Sequence, residues 1–175
     1  MTNASAHDIA IRLLTPADTT AFCALRLRAI QEAPSAFSSS REDELARTPD
    51  EHVQRIAGGA MQRAFGAFDG ERLVGFAGLR REPMRQLSHK ALLWGVFVDV
   101  AYRGQGVARR LVNACIALAE HDPAILQVHL SVNAENNAAL RLYESLGFIG
   151  YGTEPRSMRV GELFYDEHHL ALLLR

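Results

Sequence analysis

The stretch from Ala91 to Arg110 leaves this chain few ways to fold. Ala91 to Val98, ALLWGVFV, is an almost unbroken apolar run bounded by polar residues. That is the pattern of a strand covered on both faces, which places it centrally in a sheet. The basic, glycine-containing loop Arg103-Gly104-Gln105-Gly106 follows. Val107, Leu111, Ala114, Cys115 and Leu118 then recur at helical spacing up to Asp122-Pro123, where the helix ends. Gln127 to Val132 reads as a strand again, giving a strand, loop, helix, strand unit.

The remaining segments arrange themselves around that unit. Ile9 to Leu14 reads as a short strand, and Thr15-Pro16-Ala17-Asp18 supplies an N-cap, a proline at the first helical position and an acid at the third. A helix follows to about Ile30, with Phe22, Leu25 and Ala29 on one face. Serines, a proline and acids between Glu32 and Arg47 predict a loop with a short helix, and a further helix spans about Pro49 to Ala57. Ala64 to Phe68 and Arg72 to Leu79 flank Asp69-Gly70, which tolerates the positive φ angles of a hairpin turn, so these strands are expected to be antiparallel. Ala139, Leu142, Tyr143 and Leu146 form another helical stripe, ended by Gly147, and Phe148 onward returns to strand. Arg156 to Gly161 reads as a connection and Leu163 to Leu173 as a final strand. With no repeat, low-complexity tract or linker, residues 1–175 read as one domain, and 48% hydrophobic residues suffice for a substantial core.

Charge narrows the partners. Lys and Arg total 19 against 20 for Asp and Glu, so nothing draws the chain to polyanions, and no nucleic-acid role is expected. MTNASAHDIAIRLL carries no basic leader with a long apolar run, and no later segment has about 18 uninterrupted apolar residues. The expectation is a cytoplasmic protein with no membrane partner. Cys23 and Cys115 lie in helix-like apolar patterns and read as buried structural thiols.

The glycine loop carries the chemistry. Gly104 and Gly106 let the backbone approach a ligand, while free N–H groups and the dipole of the following helix favour a phosphate. The dinucleotide fingerprint is excluded, because Arg109 stands where its third glycine would be, and no Gly-Lys-Ser/Thr triplet occurs. Arg103-Gly104-Gln105-Gly106-Val107-Ala108 resembles the Arg/Gln-x-x-Gly-x-Gly/Ala pyrophosphate loop of the GNAT N-acetyltransferase superfamily. Downstream, Val132, Asn136, Ala139, Leu142, Tyr143, Gly147 and Phe148 are similar to that family's V-x-x-x-N-x-x-A-x-x-L-Y-x-x-x-G-F stretch, in the right order and one helix and one strand away.

The resemblance implies an α/β (α+β) acyltransferase fold: a mixed, mostly antiparallel twisted sheet of about seven strands with about four helices. It implies acetyl-CoA as co-substrate and transfer of acetyl to a primary amine of a small molecule, amino acid or peptide, by direct attack in a ternary complex. Backbone contacts from Phe97 and Val98 to the pantetheine arm are carried over, with Val96 to Val98 as a pairing edge where two strands splay apart. So are contacts from the Arg103, Gly104, Gln105, Gly106, Val107 and Ala108 loop to the pyrophosphate, and a side-chain contact from Asn136. A backbone N–H near Val96 to Val98 would stabilise the oxyanion, and the Tyr143 hydroxyl would protonate the departing thiolate. Ordinary values near 10 for tyrosine and ~8.5 for a thiol make that transfer uphill by roughly 2 kcal/mol. Family members often carry a glutamate on the strand equivalent to 91–98, where this chain has none.

Several residues have blander readings. Tyr143 lies on an apolar stripe and Trp94 inside an apolar strand, both common core positions. Arg109 and Arg110 fit either contacts to cofactor phosphates or solvated helix charges, and the spacing does not choose between the two. His168 and His169 adjoin Asp166 and Glu167, but neighbouring strand residues face opposite sides, so no metal is expected. Glu82, His89, Asp99 and Glu154 are open candidates for a water-relayed base. A non-catalytic acyl-CoA sensor and a phosphate-binding module remain alternatives, and homodimerisation through the C-terminal strand is a further expectation.

Overall fold

In a computed structural model the structure describes residues 8–174. Residues 1–7, on which part of the leader expectation rests, lie outside the described residues. Seven strands form one sheet among them: β1 (Ile9–Leu13), β2 (Gln62–Asp69), β3 (Arg72–Arg81), β4 (Lys90–Val98), β5 (Gln127–Asn133), β6 (Ile149–Val160) and β7 (Leu163–Leu173). Their order is β1-β2-β3-β4-β5-β7-β6, with β4 and β5 parallel and every other pair antiparallel. The apolar run therefore does sit in the middle.

Five helices flank the sheet among the described residues: α1 (Thr19–Glu32), α2 (Arg41–Ala46), α3 (Pro49–Ala57), α4 (Val107–His121) and α5 (Asn137–Ser145). The family resemblance implies about four; the short helix expected between Glu32 and Arg47 is α2, six residues long and held by a box in which Ser40 N–H donates to Asp43 and Asp43 N–H donates to Ser40 Oγ. One core layer packs α1, α3 and Phe37 against Phe76 and Phe97, with the Phe22 and Phe76 rings edge to face at 5.0 Å. The second packs α4 and α5 against β3, β4 and β5 through Val74, Leu111, Cys115, Val128 and Tyr143.

Two expectations need correction. Arg156 to Val160 is not a connection but the second half of β6, which runs from Ile149 to Val160. Its register shifts between Glu154 and Met158, and the bulge there takes up Pro155 and the left-handed Arg156 (φ 55°) without ending the ladder. The C-terminal strand is also not an edge: β7 is paired on one side with β5 and on the other with β6, so the free edge at that end of the sheet is β6.

β4 carries the feature on which the site depends. Gly95 is left-handed (φ 66°), and the β3–β4 register shifts beside it, between the pairs Gly78↔Trp94 and Phe76↔Phe97. A Cβ on Gly78 would stand 2.0 Å from the Trp94 ring, so the missing side chain is what lets the indole lie on the sheet. Gly78→Ala is expected to lower stability by about 1–3 kcal/mol through overpacking. Denaturant midpoints and the emission of Trp94, the single tryptophan, read this directly. An unmoved emission maximum would contradict the packing described.

Candidate active site

β4 and β5 pair only at Lys90↔Gln127, Ala91↔Val128 and Leu92↔His129. Beyond those pairs β4 continues to Val98 and β5 to Asn133, each still held on its outer side, by β3 and β7 respectively. The two facing edges thus separate toward the carboxyl ends of parallel strands, where ligand crevices of open α/β sheets lie. Phe97 and Val98 bury their side chains in the two core layers, which leaves their backbone as what they can offer a ligand. Asn133 fixes the far side: its amide nitrogen donates to the Ser35 carbonyl at 3.2 Å and its Oδ1 accepts from Glu135 N–H.

The glycine loop emerges from β4. Asp99 anchors it by accepting from Ala101 N–H, Arg28 and Arg72, while its own N–H donates to the Val74 carbonyl. Gly104 and Gly106 both have φ 75° with open space where a Cβ would be, and Gly106 starts α4. First-turn N–H groups have no partner inside a helix, and no side chain caps them here. Val107 is buried, so its N–H is its contribution, and Ala108 is half-buried. Arg103 is engaged with the protein itself, donating from Nε to the Val98 carbonyl at 2.8 Å with its guanidinium over the Phe97 ring. Gln105 donates to the Ala101 carbonyl.

Asn136 caps α5 by accepting from Ala139 N–H. That helix presents Tyr143, which is 7% exposed, packs edge to face on Phe148 and lines a cavity of about 290 Å³ within the β4–β5 gap. Burial pushes the Tyr143 hydroxyl above the ordinary tyrosine value. Trp94, Gly95, Val96, Asn133 and Asn136 share the cavity, so Trp94 is a lining residue rather than only core.

The opposite wall was not read from the sequence. Arg26 of α1 is 3% exposed and Arg55 of α3 stands beside it, both lining the cavity. Arg26 Nε and Arg55 Nη1 donate to the same oxygen of Glu44 at 2.8 and 2.7 Å, and Arg55 reaches the other oxygen at 3.0 Å. Burial and the Arg55 charge pull Arg26 down to about 10, which leaves it cationic at neutral pH. Burial opposes ionisation of Glu44, but the Arg26 charge and the hydrogen bonds from both arginines win and hold it at about 2. Arg26 falls four residues after Phe22, on the apolar stripe of α1; a charge at such a position was the available signal.

Among the described residues Glu167 is the one carboxylate lining the cavity, accepting from Ser157 Oγ. Glu82, His89, Asp99 and Glu154 do not line it. Arg109 bridges to Ser145 and Arg110 to the Ile9 carbonyl, both tying elements together. His168 and His169 bond to Thr153 and Ser131, and no cluster of three metal-ligating side chains occurs among the described residues. No helix is long and apolar enough to cross a membrane among them.

The fold is shared with solved acetyltransferases. An acetyltransferase of GNAT family from Streptococcus pneumoniae superposes with TM-score 0.86 at 22% identity, covering 95% of this chain and all of that one. The Salmonella typhimurium protein yncA, whose structure contains its cofactor acetyl-CoA, gives 0.82 at 19% identity over 95% and 94% of the two chains. In sequence, the N-alpha-acetyltransferase RimI of Mycobacterium tuberculosis is 37% identical over 99 residues, 54% of this chain and 57% of that relative's length. Residues 27–148 match the acetyltransferase (GNAT) family model, and the chain belongs to that family.

The arginine–glutamate cluster generates a pH prediction. Glu44 is depressed from 4.5 to about 2, so its contribution, about 3 kcal/mol, is present above pH ~4.5 and is lost as pH falls toward 2. Glu44→Gln is expected to destabilise the protein by about 3 kcal/mol near neutral pH, by leaving two guanidiniums facing each other. Urea unfolding at pH 7, 4.5 and 3 checks both; a variant with the wild-type acid slope would contradict the assignment.

Proposed function

We propose that this protein is an acetyl-CoA-dependent N-acetyltransferase that moves acetyl to a primary amine within a ternary complex. The observation that carries the reading is the split between β4 and β5. It presents unpaired strand edges to an extended ligand and opens at the end from which both the glycine loop and Asn136 emerge. An extended chain with amide groups fits such a slot as a strand fits a sheet edge. The N–H groups of Gly104 to Ala108 suit a pyrophosphate, with Arg103 and Gln105 at its border and Phe97 and Val98 offering backbone to the pantetheine arm. Acetyl-CoA supplies the activated acyl group as a thioester.

The residues of this chain then do the rest. Holding both substrates in one cavity converts a bimolecular step into an effectively intramolecular one. Val96 lines the cavity just past the Gly95 bulge, and its backbone N–H would stabilise the developing oxyanion. Tyr143, kept protonated by burial, hydrogen-bonds the departing sulfur; full transfer to a thiolate is uphill, so its role is donation rather than proton loss. Glu167 is placed to draw in an ammonium and take its proton, a role for which sequence reading had no candidate on β4.

A thiol-release assay with acetyl-CoA against a panel of amines tests this. Tyr143→Phe is expected to lower kcat by about tenfold to a hundredfold with the KM for acetyl-CoA little changed. Gly106→Glu, which adds a side chain at positive φ and a negative charge at the loop, is expected to abolish turnover. Because the Tyr143 value is raised, kcat/KM should climb as the amine deprotonates and show no Tyr143-dependent fall below about pH 10. Tight acetyl-CoA binding with no turnover of any amine would favour the sensor reading, and absence of acetyl-CoA binding would overturn the proposal.

A further inference from the structure

The acceptor side of the cavity holds positive charge without enough negative charge to match it. Glu44 offers one carboxylate to Arg26 and Arg55, and Arg47 also approaches it, at 3.8 Å. Arg26 makes a single hydrogen bond, from Nε; its Nη1 is buried and has no partner among the described residues. The Trp94 indole N–H is buried and equally without an acceptor. Both guanidiniums lie on that indole, Arg26 at 5.8 Å and Arg55 at 4.9 Å from the ring centroid, and Arg26 is also 5.2 Å from the Phe37 ring. Arg26 Nη1 further stands 3.2 Å from where a Cβ on Gly95 would be, alongside the bulge. A buried donor without an acceptor is costly, and two of them on residues that line the cavity, with a net positive charge behind them, define what is missing: an anionic acceptor of hydrogen bonds.

Resting on the proposed transferase reading, we infer that the amine acceptor carries a carboxylate, which docks on Arg26, Arg55 and the Trp94 N–H. The substrate class is a small amino acid whose amine points along the cavity toward Val96 and Tyr143. Glu167 lines the same cavity, so the cavity is bipolar, as a zwitterion requires. A space of about 290 Å³ with Arg26 buried in its wall suits a small molecule. The same cluster explains why three helices converge on this point: Arg26 belongs to α1, Glu44 to α2 and Arg55 to α3.

The test compares each proteinogenic amino acid and β-alanine with its decarboxylated amine and its carboxamide, at equal concentrations of neutral amine. The wild type is expected to favour the best carboxylate by about tenfold to a hundredfold in kcat/KM over its two partners. Arg26→Met should raise KM for that amino acid and shrink the preference, leave the KM for acetyl-CoA unchanged, and be partly rescued by Arg26→Lys. If Arg26→Met does not fold, the wild-type comparison and Arg55→Gln still decide the matter. Equal or better turnover of decarboxylated amines, or of acidic peptides over free amino acids, would overturn the inference while leaving the transferase reading intact. If no amine is turned over, titrating Trp94 fluorescence with the N-acetyl amino acids and their carboxamides, in the presence of CoA, still reads the anion site. Quenching by the carboxylates alone supports it, and equal or absent quenching by both sets overturns it.

Discussion

The structure turns on two parallel strands that stop pairing. β4 and β5 share three residue pairs and then separate, although each remains anchored on its outer side. Backbone N–H and C=O groups left along such edges are a standing demand for a partner. The separation is imposed from both sides. On β4 the left-handed Gly95 shifts the strand's register, and on β5 the side chain of Asn133 ties the strand end to the loop before α2. The void is therefore built in, and the groups that would do chemistry are those that the two diverging ends carry: the glycine loop from one, Asn136 and Tyr143 from the other.

The two faces of the split differ in chemistry. On the α4–α5 side the walls are apolar apart from the Asn136 amide and the Tyr143 hydroxyl, and burial keeps the hydroxyl protonated. On the α1–α3 side a cluster of two arginines and one glutamate is folded into the core, where ion pairs are retained at a cost in desolvation. Such a cluster contributes little to net stability over an apolar replacement, so its position on the cavity wall points to recognition. The division assigns the proposed cofactor arm to one side and the proposed acceptor to the other, with Val96 and Tyr143 where they meet.

Much of this was legible in the sequence, and the reason is local. The ALLWGVFV run, the hairpin at Asp69-Gly70, the glycine loop and the helix ending at Gly147 are each set by contacts or dihedral preferences within a few residues. Family resemblance added Asn136 and Tyr143, which periodicity alone would have left as a cap and a core residue. What escaped was non-local. Arg26 and Glu44 are 18 residues apart and meet only once α1 and α2 pack. Glu167 reaches the cavity because β7 inserts between β5 and β6, a topology that no local pattern encodes. The Arg156 segment is strand rather than connection because the free-edge strand β6 absorbs Pro155 and Arg156 in a bulge, which only its pairing with β7 makes visible.

The central claim is that the split between β4 and β5 is a slot for an acyl-CoA arm. A crystal structure of the protein with CoA tests it most directly. The account predicts the pantetheine amides hydrogen-bonded to the backbone of Val96 to Val98 and the pyrophosphate on the N–H groups of Gly104 to Ala108, with the sulfur next to the Tyr143 hydroxyl. CoA bound elsewhere on the surface, with the gap between the strands left unfilled, would contradict it.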